Sequence, residues 1–161
     1  MKDQYSEQRI NELNPYANVR QNFTDFINAC EENHNVVIRI MEPVFRTIKQ
    51  QNDLYAFGRS IAGPIKTKAK GGYSLHNYGL ALDIAVKNED GTINWNFDNS
   101  IFKPEAEKFG LEWGGDWVSI KDKPHFEMRT VNGVTYSEDC RELLQMVDDG
   151  KVDEKGYVIF V

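Results

Sequence analysis

The chain has 161 residues, of which 40% are hydrophobic and 12% aromatic, enough for one globular domain with a buried core. Its net charge of −6 argues against a nucleic-acid-binding protein, because such proteins normally present a basic face. No apolar run reaches the roughly 18 residues that a membrane-spanning helix needs, and the polar first ten residues lack the apolar centre of a signal peptide. We therefore expect one domain over residues 1–161, a monomer with no nucleic-acid partner, no membrane insertion and no signal peptide.

Helical and extended patterns are mixed along the whole chain. Apolar residues three and four positions apart predict helices over residues 6–13, 19–30, 47–57, 99–109 and 137–147. β-branched or alternating runs predict strands over residues 36–40, 80–86 and 124–128, and a short strand that ends at Val161. Asn132-Gly133 predicts a small hairpin. The order predicts an α+β fold, a small and mainly antiparallel sheet flanked by helices, with its core in residues 36–130 and a C-terminal helix and strand in 137–161.

A carboxylate lies in the middle of one of the apolar strands. In residues 80–86, Leu82 and Ile84 alternate onto one face, whereas Ala81, Asp83 and Ala85 share the other. A buried carboxylate is costly unless it is paired or binds a metal, and the two alanines leave room beside it. This strand is therefore a candidate site.

Two histidines complete a candidate metal site with this carboxylate. His76 precedes Asp83 by seven residues, and His125 lies on the predicted strand 124–128, on the same face as Glu127. A zinc hydrolase needs about three ligands from His, Asp or Glu and an open position for water. A single His or Asp in a strand is more often structural, so the spacing alone leaves both interpretations open.

Two further charged residues are candidates for catalysis. Asp122 lies three residues before His125 and outside its strand, an offset that would direct its carboxylate at a water molecule; its lysine neighbours equally fit a solvated turn. Attack on a carbonyl also needs a positive group for the oxyanion. Arg46, at the start of the helix predicted by the capping pair Thr47 and Gln50, is the first choice, and Arg59 is the second. Taken alone, Arg46 is more often a member of a simple ion pair, and this interpretation stays open.

Two motifs then resemble a known family. Ser74-x-His76-x-x-Gly79-x-Ala81-x-Asp83, with Pro124-His125-Phe126-Glu127 downstream, is similar to the VanX/VanY-like zinc peptidases of bacterial cell walls, a group that includes lysostaphin and the hedgehog N-terminal domain. Similarity to the L-alanyl-D-glutamate endopeptidases of phage endolysins comes from Phe45-Arg46-Thr47, Gln51, Leu54 to Arg59 and Trp113 to Trp117. The resemblance covers residues 6–130 and implies a hedgehog/D-Ala-D-Ala-peptidase-like fold.

The resemblance also implies roles for individual residues. His76, Asp83 and His125 would bind one zinc ion, Asp122 would be the catalytic acid and base, and Arg46 would bind the substrate carbonyl. The residues expected to contact substrate are Ser74, Arg59, Gln51, Tyr78 and Trp117. Taken alone, Trp113, Trp117 and Tyr78 are more often core residues, although the glycines between the two tryptophans favour a turn that exposes at least one of them. Some relatives hold a calcium ion as well, and the acidic loops leave such a second site open.

The function implied is zinc-dependent cleavage of the stem peptide of peptidoglycan, at the L-alanyl-D-glutamate bond. One alternative is a D-alanyl-D-alanine carboxypeptidase or dipeptidase. Another is a metal-holding binding domain without catalysis, against which the presence of both Asp122 and Arg46 argues. Without a signal peptide, we expect cytoplasmic synthesis with holin-type release to the cell wall, or a truncated secreted protein.

Overall fold

The computed structural model describes residues 1–161 and contains five α-helices and seven strands. The helices are α1 Gln4–Arg9, α2 Val19–His34, α3 Ile48–Ala56, α4 Lys103–Lys108 and α5 Arg141–Asp148. The strands are β1 Ile38–Ile40, β2 Ala81–Lys87, β3 Ile93–Asn94, β4 Glu112–Trp113, β5 His125–Glu127, β6 Thr130–Val131 and β7 Val134–Thr135. Short 3-10 helices occupy Ile10–Glu12, Leu75–Tyr78, Asn99–Phe102 and Gly114–Asp116. No helix is both long enough and apolar enough to span a membrane.

The main sheet is antiparallel throughout, which confirms the predicted α+β architecture. Its order is β1-β2-β5-β4, and β3 also pairs with β2; β6 and β7 form a separate hairpin at Asn132-Gly133. In the centre of the sheet Asp83 on β2 lies directly opposite His125 on β5, with Leu82 opposite Phe126. The sheet thus brings together two residues that are 42 positions apart in the chain.

The core lies between α2 and the sheet. The residues that set the helical spacing of α2 are all fully buried: Val19, Phe23, Phe26, Ile27 and Cys30. The ring of Phe26 lies 4.9 Å from that of Phe126 on β5. Burying an aromatic or aliphatic side chain of this size stabilises a fold by about 1.5–3 kcal/mol. These contacts fix the face of β5 that is opposite to His125.

Helix α2 continues past residue 30, where the predicted helix ended. Buried Glu31 accepts a hydrogen bond from the backbone N–H of Ile38 at 3.0 Å, which joins the helix to β1. At the last turn, Nε2 of His34 lies 3.0 Å from a carboxylate oxygen of Glu105 on α4. His34 therefore ends α2 and connects it to α4.

Buried Asp3 joins α1 to two strands. Its carboxylate caps α1 through the N–H of Ser6 and also accepts hydrogen bonds from Arg39 on β1 at 2.7 Å and from Lys87 on β2 at 3.2 Å. Burial raises the pKa of Asp3, but the hydrogen bonds from Arg39, Ser6 and Lys87 outweigh it and lower the pKa to about 2.

Besides α2, further predicted elements differ from the observed ones. The predicted helix 137–147 begins only at Arg141. The predicted helix 6–13 turns into a 3-10 helix after Arg9. The predicted helix 99–109 divides into a 3-10 helix and α4, because Pro104 at the start of α4 has no N–H to continue the helical hydrogen bonding. In place of the predicted strand up to Val161 there is an isolated bridge between Val152 and Val158. The capping box of Thr47 and Gln50 is present as predicted.

Candidate active site

Three ligand-type side chains meet at the middle of the sheet. Asp83 and His125 face each other across β2 and β5, and His76 comes from the 3-10 helix just before β2. Nε2 of His76 lies 3.2 Å from Nδ1 of His125 and 3.5 Å from Oδ1 of Asp83. Nδ1 of His125 lies 3.1 Å from the same oxygen of Asp83, so the three atoms form a triangle. Two ligands of a tetrahedral zinc ion, each about 2.0–2.1 Å from it, lie about 3.3 Å apart. The triangle therefore has the size of one face of a zinc site.

The outer hydrogen bonds of both imidazoles fix which nitrogen is free to bind a metal. Nδ1 of His76 lies 2.9 Å from the carbonyl oxygen of Val44, and Nε2 of His125 lies 2.8 Å from a carboxylate oxygen of Glu127. Because those oxygens only accept, these nitrogens carry the hydrogens, and the lone pairs of the other two nitrogens point to Asp83 and to each other. Three acceptor atoms that converge on one point favour a cation between them. This donor set fits a divalent metal ion.

The charges around the triangle favour a positive charge. Burial raises the pKa of Asp83, but its interactions with His76 and His125 outweigh it and hold the pKa well below the ordinary value. Burial lowers the pKa of His125, whereas its hydrogen bonds with Asp83 and Glu127 raise it more, to about 10. The two carboxylates therefore favour a positive charge at this position.

Asp122 lies at the border of this group. The N–H of His125 donates to the carbonyl oxygen of Asp122 at 3.2 Å, and the N–H of Asp122 donates to that of Gly114 at 3.0 Å. A Cβ atom at Gly114 would lie 2.7 Å from the Asp122 carbonyl oxygen and 3.0 Å from Cβ of His125, so only glycine allows this approach. Burial and the charge of Asp83 raise the pKa of the Asp122 carboxyl, in part offset by His125, His76 and Arg46.

Arg46 supplies a half-buried guanidinium near the carboxylates of Asp83 and Asp122. Its backbone N–H donates to the carbonyl oxygen of His76 at 3.0 Å. This bond ties Arg46 to the 3-10 helix Leu75–Tyr78, which we call the metal turn. Burial lowers the pKa of Arg46, whereas Asp83 and Asp122 raise it, so both carboxylates lie within its electrostatic range. Its Nε is buried without a hydrogen-bond partner. An unpaired buried donor beside a metal group is suited to binding a substrate oxygen.

Gln51 and Tyr78, which were predicted to contact substrate, are inside the protein instead. Gln51 is completely buried; its Oε1 accepts from Arg46 at 2.7 Å and its Nε2 donates to the carbonyl oxygen of Ala69 at 2.8 Å. Tyr78 is also buried, and its hydroxyl donates to the carbonyl oxygen of Gly72 at 2.6 Å. With their polar groups satisfied and no free surface, these side chains support Arg46 and the loop before His76. Both predictions of substrate contact are corrected.

The other three predicted substrate contacts differ in their surroundings. Trp117 is half-buried, and its ring lies 4.9 Å from that of His125. Ser74 is half-buried and begins the 3-10 helix that carries His76. Arg59 is exposed, and its guanidinium lies 3.6 Å from the centre of the Tyr55 ring. The structure thus brings the Trp117 ring next to His125 and Ser74 next to His76 in the chain, whereas the contacts of Arg59 are with Tyr55 and Thr67. The roles of all three residues stay predictions.

Some supporting residues were not found from the sequence. Asn77 donates to the carbonyl oxygen of Arg46 at 2.7 Å and accepts from the N–H of Gly72 at 3.0 Å, which holds both neighbours of the metal turn. The position of Asn77 directly after His76 in the motif could have indicated this supporting role from the sequence. Ala81 is fully buried and lies opposite Glu127 in the ladder. The room that was predicted beside Asp83 is therefore, at Ala81, next to the Glu127 carboxylate that hydrogen-bonds to His125.

A buried two-histidine, one-aspartate group beside a carboxylate and an arginine is typical of metal-dependent hydrolases. Residues 67–128 match the model of a peptidase M15 family described as D-alanyl-D-alanine carboxypeptidase. The chain is 42% identical over 120 residues to the peptidoglycan L-alanyl-D-glutamate endopeptidase CwlK of Bacillus subtilis (strain 168), over 68% of this chain and 71% of that protein. The chain belongs to this family of peptidases, as the sequence motifs predicted, and is a peptide-bond hydrolase.

Two further similarities agree with this assignment. The chain is 36% identical over 58 residues to the L-alanyl-D-glutamate peptidase of Listeria phage A118, a match that spans 34% of this chain and 20% of the phage protein. The crystal structure of the L-Ala D-Glu endopeptidase ChiX of Serratia marcescens superposes with a TM-score of 0.55 at 21% identity, over 78% of this chain and 86% of that one. The latter likeness is one of fold.

Proposed function

We propose that this protein is a zinc-dependent peptidoglycan peptidase that cleaves the L-alanyl-D-glutamate bond of the stem peptide. The observation that carries the proposal is the triangle of His76, Asp83 and His125 ligand atoms, 3.1–3.5 Å apart, with Arg46 and Asp122 next to it. The similarity to CwlK over 120 residues supports the choice of bond.

The residues divide the chemistry between them. His76, Asp83 and His125 would hold zinc, which supplies a Lewis acid and lowers the pKa of water. Asp122, whose pKa is raised above the ordinary value, takes the proton from the attacking water and delivers it to the leaving amine nitrogen. The free Nε–H of Arg46 donates to the carbonyl oxygen as negative charge develops on it.

Substrate binding is assigned to the half-buried side chains around the triangle. Trp117 presents its ring beside His125, and Ser74 precedes the metal turn. Gln51 contributes indirectly, because its amide oxygen holds one nitrogen of Arg46 and leaves Nε of that arginine without a partner. We assign to Gln51 the role of positioning Arg46.

A second candidate is cleavage at the end of the stem peptide. The family model that matches residues 67–128 is described as D-alanyl-D-alanine carboxypeptidase, and this description favours release of a terminal D-alanine. The two activities leave different products, so one digestion separates them.

The test is digestion of purified peptidoglycan with the full chain, followed by mass spectrometry of the new chain ends. New C-terminal L-alanyl and N-terminal D-glutamyl ends are expected, and their loss in EDTA with recovery on addition of zinc would show the metal requirement. Free D-alanine without these ends would refute the endopeptidase in favour of the second candidate. No new ends of either kind, with zinc present, would refute both.

The remaining expectations about partners and location are part of the proposal. A peptidoglycan substrate lies outside the cytoplasmic membrane, so the enzyme needs holin-type release or secretion to reach it. A monomeric state and a second, calcium site stay predictions. The one group of metal-ligand side chains that the structure brings together is that of His76, Asp83 and His125.

A further inference from the structure

The segment between α3 and the metal turn is positively charged. From Leu54 to Leu82 there is no acidic residue, although the net charge of the chain is −6. This segment contains four cations, Arg59, Lys66, Lys68 and Lys70. We call residues 58–72, which carry them, the cationic loop. None of the four forms an ion pair. Their charge is therefore available to a partner.

The cations are exposed, and aromatic rings hold three of them. Lys66, Lys68 and Lys70 are exposed and alternate with the less exposed Thr67 and Ala69. The ammonium of Lys66 lies 3.9 Å from the centre of the Phe57 ring, and that of Lys70 lies 4.9 Å from Tyr73; Arg59 stacks on Tyr55. Cation–π contacts at exposed sites contribute about 0.5–1 kcal/mol each and restrict the side chains without neutralising their charge.

Hydrogen bonds fix the cationic loop to the candidate active site. The carbonyl oxygen of Ala69 accepts from Nε2 of buried Gln51 at 2.8 Å, and Oε1 of the same amide accepts from Arg46 at 2.7 Å. One buried side chain therefore connects the backbone of the loop to the arginine assigned to the substrate carbonyl. A cleft of about 270 Å³ also has Arg46 and Phe57, the ring under Lys66, in its lining. Asp53 lines the same cleft, and its carboxylate forms an ion pair with Lys49 at 2.8 Å. The backbone of the loop is thus one buried side chain away from the guanidinium assigned to the scissile carbonyl.

We propose that the cationic loop binds the free carboxylate of the glutamate next to the scissile bond. This inference rests on the proposed function. A glutamate in an L-alanyl-D-glutamate unit has two carboxyl groups, of which only one continues the peptide, so the other is an anion close to the cleaved bond. Lys66, Lys68 and Lys70 present the complementary charge, and the loop carries no carboxylate that would repel this anion.

The experiment compares two synthetic stem peptides that differ in this carboxylate alone. One has the free carboxylate, and the other has a carboxamide in its place. The variant Lys66→Gln/Lys68→Gln/Lys70→Gln is compared with wild-type protein and with a control that removes as much charge elsewhere, Lys108→Gln/Lys151→Gln/Lys155→Gln. For the free acid, the loop variant should raise KM about tenfold with kcat nearly unchanged, as for the loss of a few exposed ionic contacts. For the carboxamide peptide, the KM of the loop variant should stay within about twofold of the KM of the wild-type protein.

The outcomes separate this inference from the proposed function. An equal change of KM for both peptides, or none for the free acid, would overturn the role of the loop while leaving the proposed activity intact. Wild-type protein that cleaves neither peptide would refute the proposed function itself. Lys68→Gln alone serves if the triple variant melts early, because Lys68 stacks on no ring, and it should raise KM about two- to threefold for the free acid only. The control variant should match wild type with both peptides, and a tenfold rise there would attribute the effect to net charge rather than to the loop.

Discussion

Glu127 offers a direct test of how the protein prepares His125 for a metal. Its carboxylate is buried, with one oxygen 2.8 Å from Nε2 of His125 and the other accepting a hydrogen bond from Arg129. Burial raises the pKa of Glu127, but its interactions with His125 and Arg129 outweigh it, so the group is ionised. A carboxylate behind a ligating imidazole orients the ring and makes its free nitrogen a stronger donor.

We therefore predict that Glu127→Gln weakens zinc binding. Glutamine has nearly the same size and still accepts a hydrogen bond from His125, so the change removes mainly a negative charge. Loss of such a partner weakens metal binding about 10–100-fold, which corresponds to about 1.4–2.7 kcal/mol. A proton on His125 is also destabilised by the change, and its weaker competition works in favour of zinc. The lost attraction for zinc should outweigh the weaker competition from the proton, because the carboxylate attracts a divalent ion more strongly than a single proton.

Competition with a chromogenic zinc chelator at neutral pH measures this affinity in the full chain. The matched control is Glu112→Gln, because Glu112 lies opposite Glu127 in the ladder but is exposed, and its carboxylate contacts Arg129 at 3.4 Å and not His125. The control should change zinc affinity less than about threefold, as expected of an exposed ion pair. Equal affinities for wild type and Glu127→Gln, with both folded, would refute the reasoning. So would an equal loss in Glu112→Gln.

Three further changes test the site and the fold. Asp122→Asn should keep zinc, as measured by elemental analysis, and lose at least about 100-fold in kcat, and retained kcat would exclude Asp122 as the base. Tyr78→Phe should destabilise the protein by about 1 kcal/mol in thermal melts, since it loses the 2.6 Å bond to Gly72, and leave KM within twofold; a large rise in KM would restore a substrate role. Asp3→Asn should destabilise the protein by about 2 kcal/mol at pH 7, because the pKa of Asp3 is lowered from 3.8 to about 2. Because a lowered pKa stabilises only the ionised form, urea unfolding should show this difference shrinking between about pH 4 and pH 2, and a constant difference would contradict it.

The meeting of Asp83 and His125, two of the three candidate metal ligands, was predictable because strands have a strict side-chain alternation. A carboxylate in the apolar run of β2 and a histidine in that of β5 each stand out from their neighbours, and the alternation fixes the face on which each lies. The sequence could therefore place Asp83 and His125 on faces that meet. The offset of Asp122 before β5 followed from the same alternation, together with Pro124.

The supporting contacts were not predictable in the same way, because they depend on backbone groups far away in the chain. Whether Tyr78 packs or is exposed is decided by the carbonyl oxygen of Gly72, and the role of Gln51 is decided by that of Ala69. The tautomer of His76 depends on the carbonyl oxygen of Val44. Residue types carry no information about where such carbonyl oxygens lie.

The apolar face of β5 determines whether the candidate site exists at all. This strand has three residues, and its register against β2 places His125 opposite Asp83. A slip by one residue would turn His125 toward α2 and bring Phe126 to the side of Asp83, because the side-chain period of a strand is two. Phe126 is fully buried against Phe26, and its exposure would cost about 1.5–3 kcal/mol before the cost of burying His125 in the core is counted. The packing of one phenylalanine thus holds the metal ligand beside it in register, so the geometry of the site follows from the stability of the core.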